Sequence, residues 1–281
     1  MKKWIVIALF LIVIGGAGMA FTYEDAKAQQ KEVQTETIDR GQINTINIES
    51  ANSKVTIRPS NKDHLTVTYE GDLDRSDFKI EANDKVLSIQ ARHKWQYKLV
   101  SFDLFSFTDH IQVDLPEALY EKIKVDTDNG KISVADIDSK STELSTANGI
   151  IDASALTGDL QVQSSNGALK IKNITGKVEA KTANGLIKLE NITGDIRGRA
   201  ANGKIEYVAD QIKQDIELRA ENGSIDIRLS DRLDDVVLQL QTELGSTKVN
   251  GSKDWDSKIG DGLYEVKLKT ELGSIKINDR Q

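Results

Sequence analysis

Through most of the chain, apolar and polar side chains alternate, and the alternation itself recurs about every eighteen residues. The recurring marker is Asn-Gly, at Asn129, Asn148, Asn166, Asn184, Asn202 and Asn222, with spacings of 19, 18, 18, 18 and 20. Two further copies put leucine before the glycine. They are Gln-Thr-Glu-Leu-Gly-Ser-Thr-Lys-Val at 241–249 and Lys-Thr-Glu-Leu-Gly-Ser-Ile-Lys-Ile at 269–277, with the leucines at Leu244 and Leu272. Three and five residues after the marker stand apolar pairs such as Ile132/Val134, Leu169/Ile171, Ile187/Leu189 and Ile275/Ile277. Six and four residues before it stand Ile123/Val125, Leu160/Val162, Ile216/Leu218 and Val266/Leu268. Strict period-two alternation on both sides of a turn predicts strands with one buried face. Asn and Gly tolerate the left-handed backbone that a sharp corner demands. No part of this repeat carries helical spacing, so the body is expected to be all-β.

Two architectures satisfy the pattern. Asn-Gly is also the preferred two-residue hairpin loop, and in a hairpin the same apolar positions would share a face. A long antiparallel meander, however, would leave that face uncovered, with nothing to pack on it. A solenoid folds each coil over so that its strands face one another, and stacked coils share one core. Left-handed hexapeptide helices need apolar residues at six-residue intervals, which are absent. The expected fold is therefore a β-solenoid, parallel β-helix-like, of ~18-residue two-strand coils. An antiparallel meander or β-sandwich is the alternative.

Ahead of Asn129 the repeat loosens. Ile46/Ile48, Asn52 and Val55/Ile57 keep its offsets, so residues 43–57 read as a divergent coil. Leu65–Tyr69, Phe78–Ala82, Val86–Ala91 and Ile111–Leu115 read as further strands. Residues 41–120 are expected to form an N-terminal β cap that protects the sheet end from edge pairing, and residues 121–281 the solenoid repeats. Lys2 and Lys3 precede twenty uncharged residues, 4–23. At ~1.5 Å each these span roughly 30 Å, the thickness of a bilayer's hydrocarbon core. Residues 1–23 thus predict a single-pass anchor with a cytoplasmic N-terminus and an extracytoplasmic body. Gly18-Met19-Ala20 also fits a small-x-small cleavage site, so secretion after cleavage near Ala20 is the alternative. Residues 24–40 read as a polar spacer, helical in part or a plain tether.

Composition narrows the function. The 281 residues carry 37 Lys+Arg against 44 Asp+Glu, a net charge of −7 that disfavours a nucleic-acid binder. No cysteine is present, which excludes disulfides, a lipoprotein anchor and a thiolate nucleophile or zinc site. Three histidines leave little material for a histidine metal centre.

His-Ile-Gln-Val-Asp-Leu-Pro at 110–116, then Ile-Lys-Val-Asp-Thr-Asp-Asn-Gly-Lys-Ile-Ser-Val at 123–134 and the serial Asn-Gly coils, resemble the LiaG-like family of candidate adhesins of Gram-positive bacteria. The resemblance covers roughly residues 40–281 and extends to the N-terminal anchor. It implies an extracytoplasmic, membrane-anchored β-repeat protein, often associated with cell-envelope stress genes, and brings no catalytic residues to carry over.

Candidate chemistry is sparse. Asp126-x-Asp128-x-Gly130 begins like a calcium loop, but an EF-hand wants Gly at position six and Glu at twelve, where Lys131 and Ile137 stand. It reads as an ordinary turn. No phosphate loop, nucleophile elbow or zinc-protease motif occurs. Polysaccharide cleavage of β-helix type would need converging carboxylates, whereas the outward column four residues past the marker mixes Asp152, Lys170, Lys188, Glu206 and Asp226. The column three residues before it carries Lys181, Arg199 and Arg219, then Gln241, then Lys269. The first three form a candidate ladder for an anionic wall polymer, partly neutralised by Glu221, Glu243 and Glu271 one column over. Trp95, Tyr97, Phe102, Phe105 and Phe107 crowd thirteen positions and read as a cap plug or a partner-contacting surface. The 28 residues from Leu244 to Leu272 imply a bulged loop carrying Trp255, a further candidate contact. No cofactor or metal is expected. The reading is a non-catalytic envelope-binding, adhesin-like protein or an envelope-stress scaffold, membrane-held through residues 4–23, with a cell-wall polymer or a membrane protein as partner. A regulator contacting a membrane sensor and a polysaccharide-active enzyme are the alternatives.

Overall fold

The computed structural model describes residues 32–73, 76–93 and 109–280. Among them every regular element is a strand, and no helix is long and apolar enough to cross a membrane. The stretch 4–23 lies outside the described residues.

The repeats stack as predicted. β7 (Tyr120–Thr175) runs through three coils, followed by β8 (Val178–Thr193), β9 (Ile196–Ala209) and β10 (Ile216–Leu229). Each coil pairs with the next in parallel and in register, so Asn166, Asn184, Asn202 and Asn222 line up. Parallel pairing rules out the meander. The apolar positions on both sides of the corner are buried together in one core, Ile187 and Leu189 among them. A second bend closes each coil. Asn173 and Asn191 adopt left-handed backbone there (φ 54° and 51°), and Ile174 and Ile192 turn inward behind them. The coil is thus two strands and a short connecting side.

At the marker corner, glycine is required by space as well as by φ. A Cβ on Gly185 (φ 147°) would stand 1.8 Å from the carbonyl oxygen of Gly167. Successive coils touch backbone to backbone at this point.

The N-terminal region is more elaborate than a plain cap. β2 (Thr45–Ser60) is a complete coil, as its offsets predicted, and pairs in parallel with β7 on one side. On its other side lie β5 (Val86–His93) and β6 (Asp109–Pro116), which pair in parallel with its first and second halves. β3 (His64–Gly71) and β4 (Ser76–Asn83) cover these two strands antiparallel. The expected spacer needs a correction at its end: Glu32–Asp39 is a strand, β1, antiparallel to β3. Its polar sequence suits an outermost strand, where Ile38 is half-buried and Val33 is exposed.

The C-terminal end also departs from the expected order. β11 (Val236–Val249) does not follow β10. The last strand, β13 (Tyr264–Asn278), lies between them, in parallel register with both. The long connection from Leu244 to Leu272 is therefore a return path that steps back one layer, not a bulge in one coil. Part of it, β12 (Lys258–Ile259), pairs antiparallel with Val236 and Val237 at the outer edge of β11. Composition explains which copy goes inside. β13 offers Ile275 and Ile277, whereas β11 offers Thr247 and Val249 at the same positions, and the less apolar coil takes the solvent side.

The register yields a direct test. Leu189 is fully buried between Ile171 and Tyr207, while Lys188 faces water and pairs with Glu190. Leu189→Asp buries an unpaired carboxylate and is expected to cost about 3–5 kcal/mol. Lys188→Asp is expected to be nearly silent. Equal melting temperatures for the two variants would refute the assigned faces.

Candidate functional site

The marker asparagines form one continuous amide ladder along the corner. Asn129 Nδ2 donates to Asn52 Oδ1 (2.6 Å), and Asn148 to Asn129 (2.9 Å). Asn166, Asn184, Asn202 and Asn222 each donate in turn to the preceding asparagine at 2.8–3.0 Å. Asn52 belongs to this ladder although serine, not glycine, follows it. The ladder then gives way to Leu272 and Leu244, 48% and 69% exposed, in the two coils at the C-terminal end.

The outer faces are columns of charge. On the second half of each coil, signs mix and pair. Lys188 bonds Glu190, Lys204 bonds Glu206, and Arg228 reaches Asp226 at 2.7 Å. The hydrogen bond from Lys188 holds the Glu190 carboxyl below its usual range, as Lys181 does for Glu179. On the first half, the candidate residues Lys181, Arg199 and Arg219 do stand one above another. Because β13 is inserted, the next rung is Lys269, and Gln241 follows it. Chain order had put Gln241 before Lys269. The spatial column is Lys181, Arg199, Arg219, Lys269, Gln241. A shallow depression of about 340 Å³ lies at its end, lined in part by Arg219, Gln241, Lys267 and Lys269.

The other candidates fall in different places. Trp95, Tyr97, Phe102, Phe105 and Phe107 lie outside the described residues. β5 ends and β6 begins at the marker corner of the coil next to β2. Trp255 is half-buried and packs back onto the core cluster. Asp126 and Asp128 are exposed on either side of buried Thr127, and no group of His, Asp or Glu able to hold a metal ion occurs among the described residues.

Two buried polar sites had no signal in the sequence. Asp109 accepts hydrogen bonds from Tyr69 Oη and Ser76 Oγ, both at 2.8 Å, and ties β3 and β4 to β6. Tyr69 also stacks on Phe78 with ring centroids 4.3 Å apart. Gln214 sits in the longer turn after β9 and donates to Tyr207 Oη (2.6 Å) and to the Ile192 carbonyl (3.1 Å). Burial pushes the Tyr207 phenol up to about 12, so it stays protonated. Both sites hold structure together.

Fold and surface define an amide-laddered β-solenoid with charged outer columns. The chain belongs to the Toastrack DUF4097 family, whose β-solenoid-like domain matches residues 43–278. Among curated proteins nothing matches. Similar solved structures include a candidate adhesin from Parabacteroides distasonis, 13% identical with a TM-score of 0.47, covering 89% of this chain and 98% of that one. One from Bacteroides fragilis is 14% identical with a TM-score of 0.44 at the same coverages. A candidate cell adhesion protein from Clostridium sporogenes is 13% identical with a TM-score of 0.26, covering 89% and 100%.

The ladder makes its own prediction. Asn184→Asp keeps the acceptor toward Asn202 but removes the donor toward Asn166 and sets a carboxylate against that amide oxygen. The expected cost is about 1–2 kcal/mol, a fall of a few degrees in a thermal melt. An unchanged melting temperature would show that the side-chain ladder contributes nothing beyond the glycine contacts.

Proposed function

We propose that the protein is a non-catalytic, membrane-anchored member of its family, LiaG-like in organisation, with an extracytoplasmic body that binds an envelope component in the manner of an adhesin. One observation carries this reading. β1, next to the proposed tether, is the outermost strand at one end of the stack, and β11 with β12 forms the other. Between β1 and β11 the strands climb eleven steps, counting three coils in β7. At ~4.8 Å per step the free end stands roughly 50 Å from the tethered end. A rod fixed at one end carries its far surface away from the bilayer. The mixed signs of the outward columns, with Glu179 and Glu190 each paired to a lysine, favour a binding role over polysaccharide cleavage, which needs converging carboxylates.

A second reading is favoured by the sequence between β5 and β6, which gathers five aromatic residues between two strands of the coil beside the proposed tether, the end that would face a membrane sensor protein or the membrane surface. In this reading the protein is a regulator, and Phe105 and Phe107 belong to the contact surface.

Three experiments test these proposals. A reporter that functions only in the cytoplasm, fused after Gln281, is expected to be inactive; activity would end the extracytoplasmic reading. The mass of the mature chain then separates an anchored form from one cleaved after Ala20. Replacing Phe105 and Phe107 by Ser is expected to leave the melting temperature in place while partner retention, read by crosslinking in cells, falls. A drop of several degrees instead would assign the pair to the packing of the end.

A further inference from the structure

The inserted position of β13 creates a surface that chain order does not contain. Lys181, Arg199, Arg219 and Lys269 occupy four consecutive rungs, with Arg197 and Lys267 in the neighbouring outward column. At ~4.8 Å per rung the column is roughly 14 Å long. Four carboxylates serve five of these six cations. Lys181 pairs with Glu179 (2.6 Å), Arg219 with Glu271 (2.7 Å) and Lys267 with Glu265 (2.6 Å). Arg197 and Arg199 share Glu217, each at 3.7 Å. Lys269 has no carboxylate partner, and the Gln241 amide beside it is likewise without a hydrogen bond among the described residues. The two columns themselves therefore carry more cations than carboxylates, on a chain whose net charge is −7. That excess is greatest beside the depression at the free end.

The borders of the block are acidic. Glu221, Glu271 and Glu243 run along one side, and Asp195, Asp215 and Glu265 along the other. A broad anionic surface laid on this face would meet those carboxylates. A thin chain lying along the stack would keep its acidic groups over the cations. Exposed ion pairs of the kind already present are weak and exchange readily, and several in series add through their linkage.

We infer that Lys181, Arg199, Arg219 and Lys269, with Gln241 at the end, form a binding track for a linear polyanion bearing phosphate or carboxylate groups. The inference rests on the binding role proposed above, but not on the location of the protein, because it is read with purified chain. The full chain, in detergent, is expected to bind immobilised long-chain inorganic polyphosphate at low salt, more weakly as salt rises. Inorganic phosphate at the same phosphorus concentration should not displace it, since one group cannot span the rungs. Lys269→Glu and Arg219→Gln are each expected to weaken binding roughly three- to ten-fold. Gln241→Lys, which adds a fifth cation to the column, should strengthen it about two-fold. Lys170→Glu, on the other outer face, should change it by less than about two-fold, and all four variants should melt with the parent. Displacement by polygalacturonate would show that carboxylates serve as well; failure to displace would confine the track to phosphate. No binding of either polymer overturns the inference. So does equal weakening by Lys170→Glu and Lys269→Glu, which would reduce the effect to diffuse charge.

Discussion

The close approach of backbone to backbone at the marker corner governs this molecule. With a Cβ on Gly185 only 1.8 Å from the Gly167 carbonyl oxygen, neither an added side chain nor a shifted register can be accommodated there. The asparagine amides beside these glycines then lock each coil to its neighbour by one hydrogen bond per step. Pitch and register follow from these two contacts. Once they are fixed, every residue at a given offset stacks on its equivalents, so buried positions become apolar columns and outward positions become columns of charge. Beneath the ladder the same rule stacks small residues. The hydroxyls of Thr146, Ser164 and Thr182 are buried there without partners, and Ala200 and Ala220 fill the same column without any hydroxyl. Toward the two ends of the same column the hydroxyls do pair, Ser50 with Thr127 and Thr270 with Thr242, so the column holds small residues whether or not they bond.

Both ends of the stack meet a common difficulty in a common way. A terminal coil has ladder partners on one side only, and chain termini open most easily. Here neither the first nor the last full coil is terminal in space. β2 lies between β7 and the β5–β6 coil, and β13 lies between β10 and β11. Each is gripped on two sides. At one end β1 itself is outermost, and at the other β11, from further inside the sequence, takes the exposed layer. That layer is modified for the role: Thr247 replaces an aliphatic residue, Trp255 packs back onto the core cluster, and β12 pairs with the start of the edge. At the opposite end antiparallel strands do the covering, with Asp109 binding Tyr69 and Ser76 across them.

The sequence was informative wherever the repeat operates. Coil length, corner position and inward faces follow from offsets around Asn-Gly, the parallel stack follows from the need to cover the apolar face, and even the divergent coil at Asn52 was recognisable. Stacking order at the ends was not. The strings around Leu244 and Leu272 have the same offsets, so either could sit next to Asn222, and only the balance of Ile275 against Thr247 favours the arrangement seen. The spacer reading stopped short for a similar reason. Glu32–Asp39 has too little apolar content to announce a strand, because an edge strand needs little. Asp109 and Gln214 could not be found from the sequence at all. Asp109's partners Tyr69 and Ser76 lie 40 and 33 residues away outside the repeats, and Gln214 sits in an irregular turn, although its partners Tyr207 and Ile192 hold repeat positions.

Column stacking also sets an electrostatic problem, and the two faces answer it differently. Any charge placed at a repeating offset lies one strand spacing from its equivalents above and below. On the second half of the coils the signs vary along the stack. Lys188 lies beside Glu206, and the cations bridge to carboxylates in adjacent columns, as Lys204 does to Asp226. On the first half four cations follow one another without interruption, and Arg197 and Arg199 must share one carboxylate. Like-sign stacking in water is a small penalty, further screened by salt, so solubility alone would tolerate it. Nothing in the fold requires it, however, because the same offset carries glutamine at Gln163 and Gln241 with the coil intact. The run of cations is therefore not imposed by the architecture.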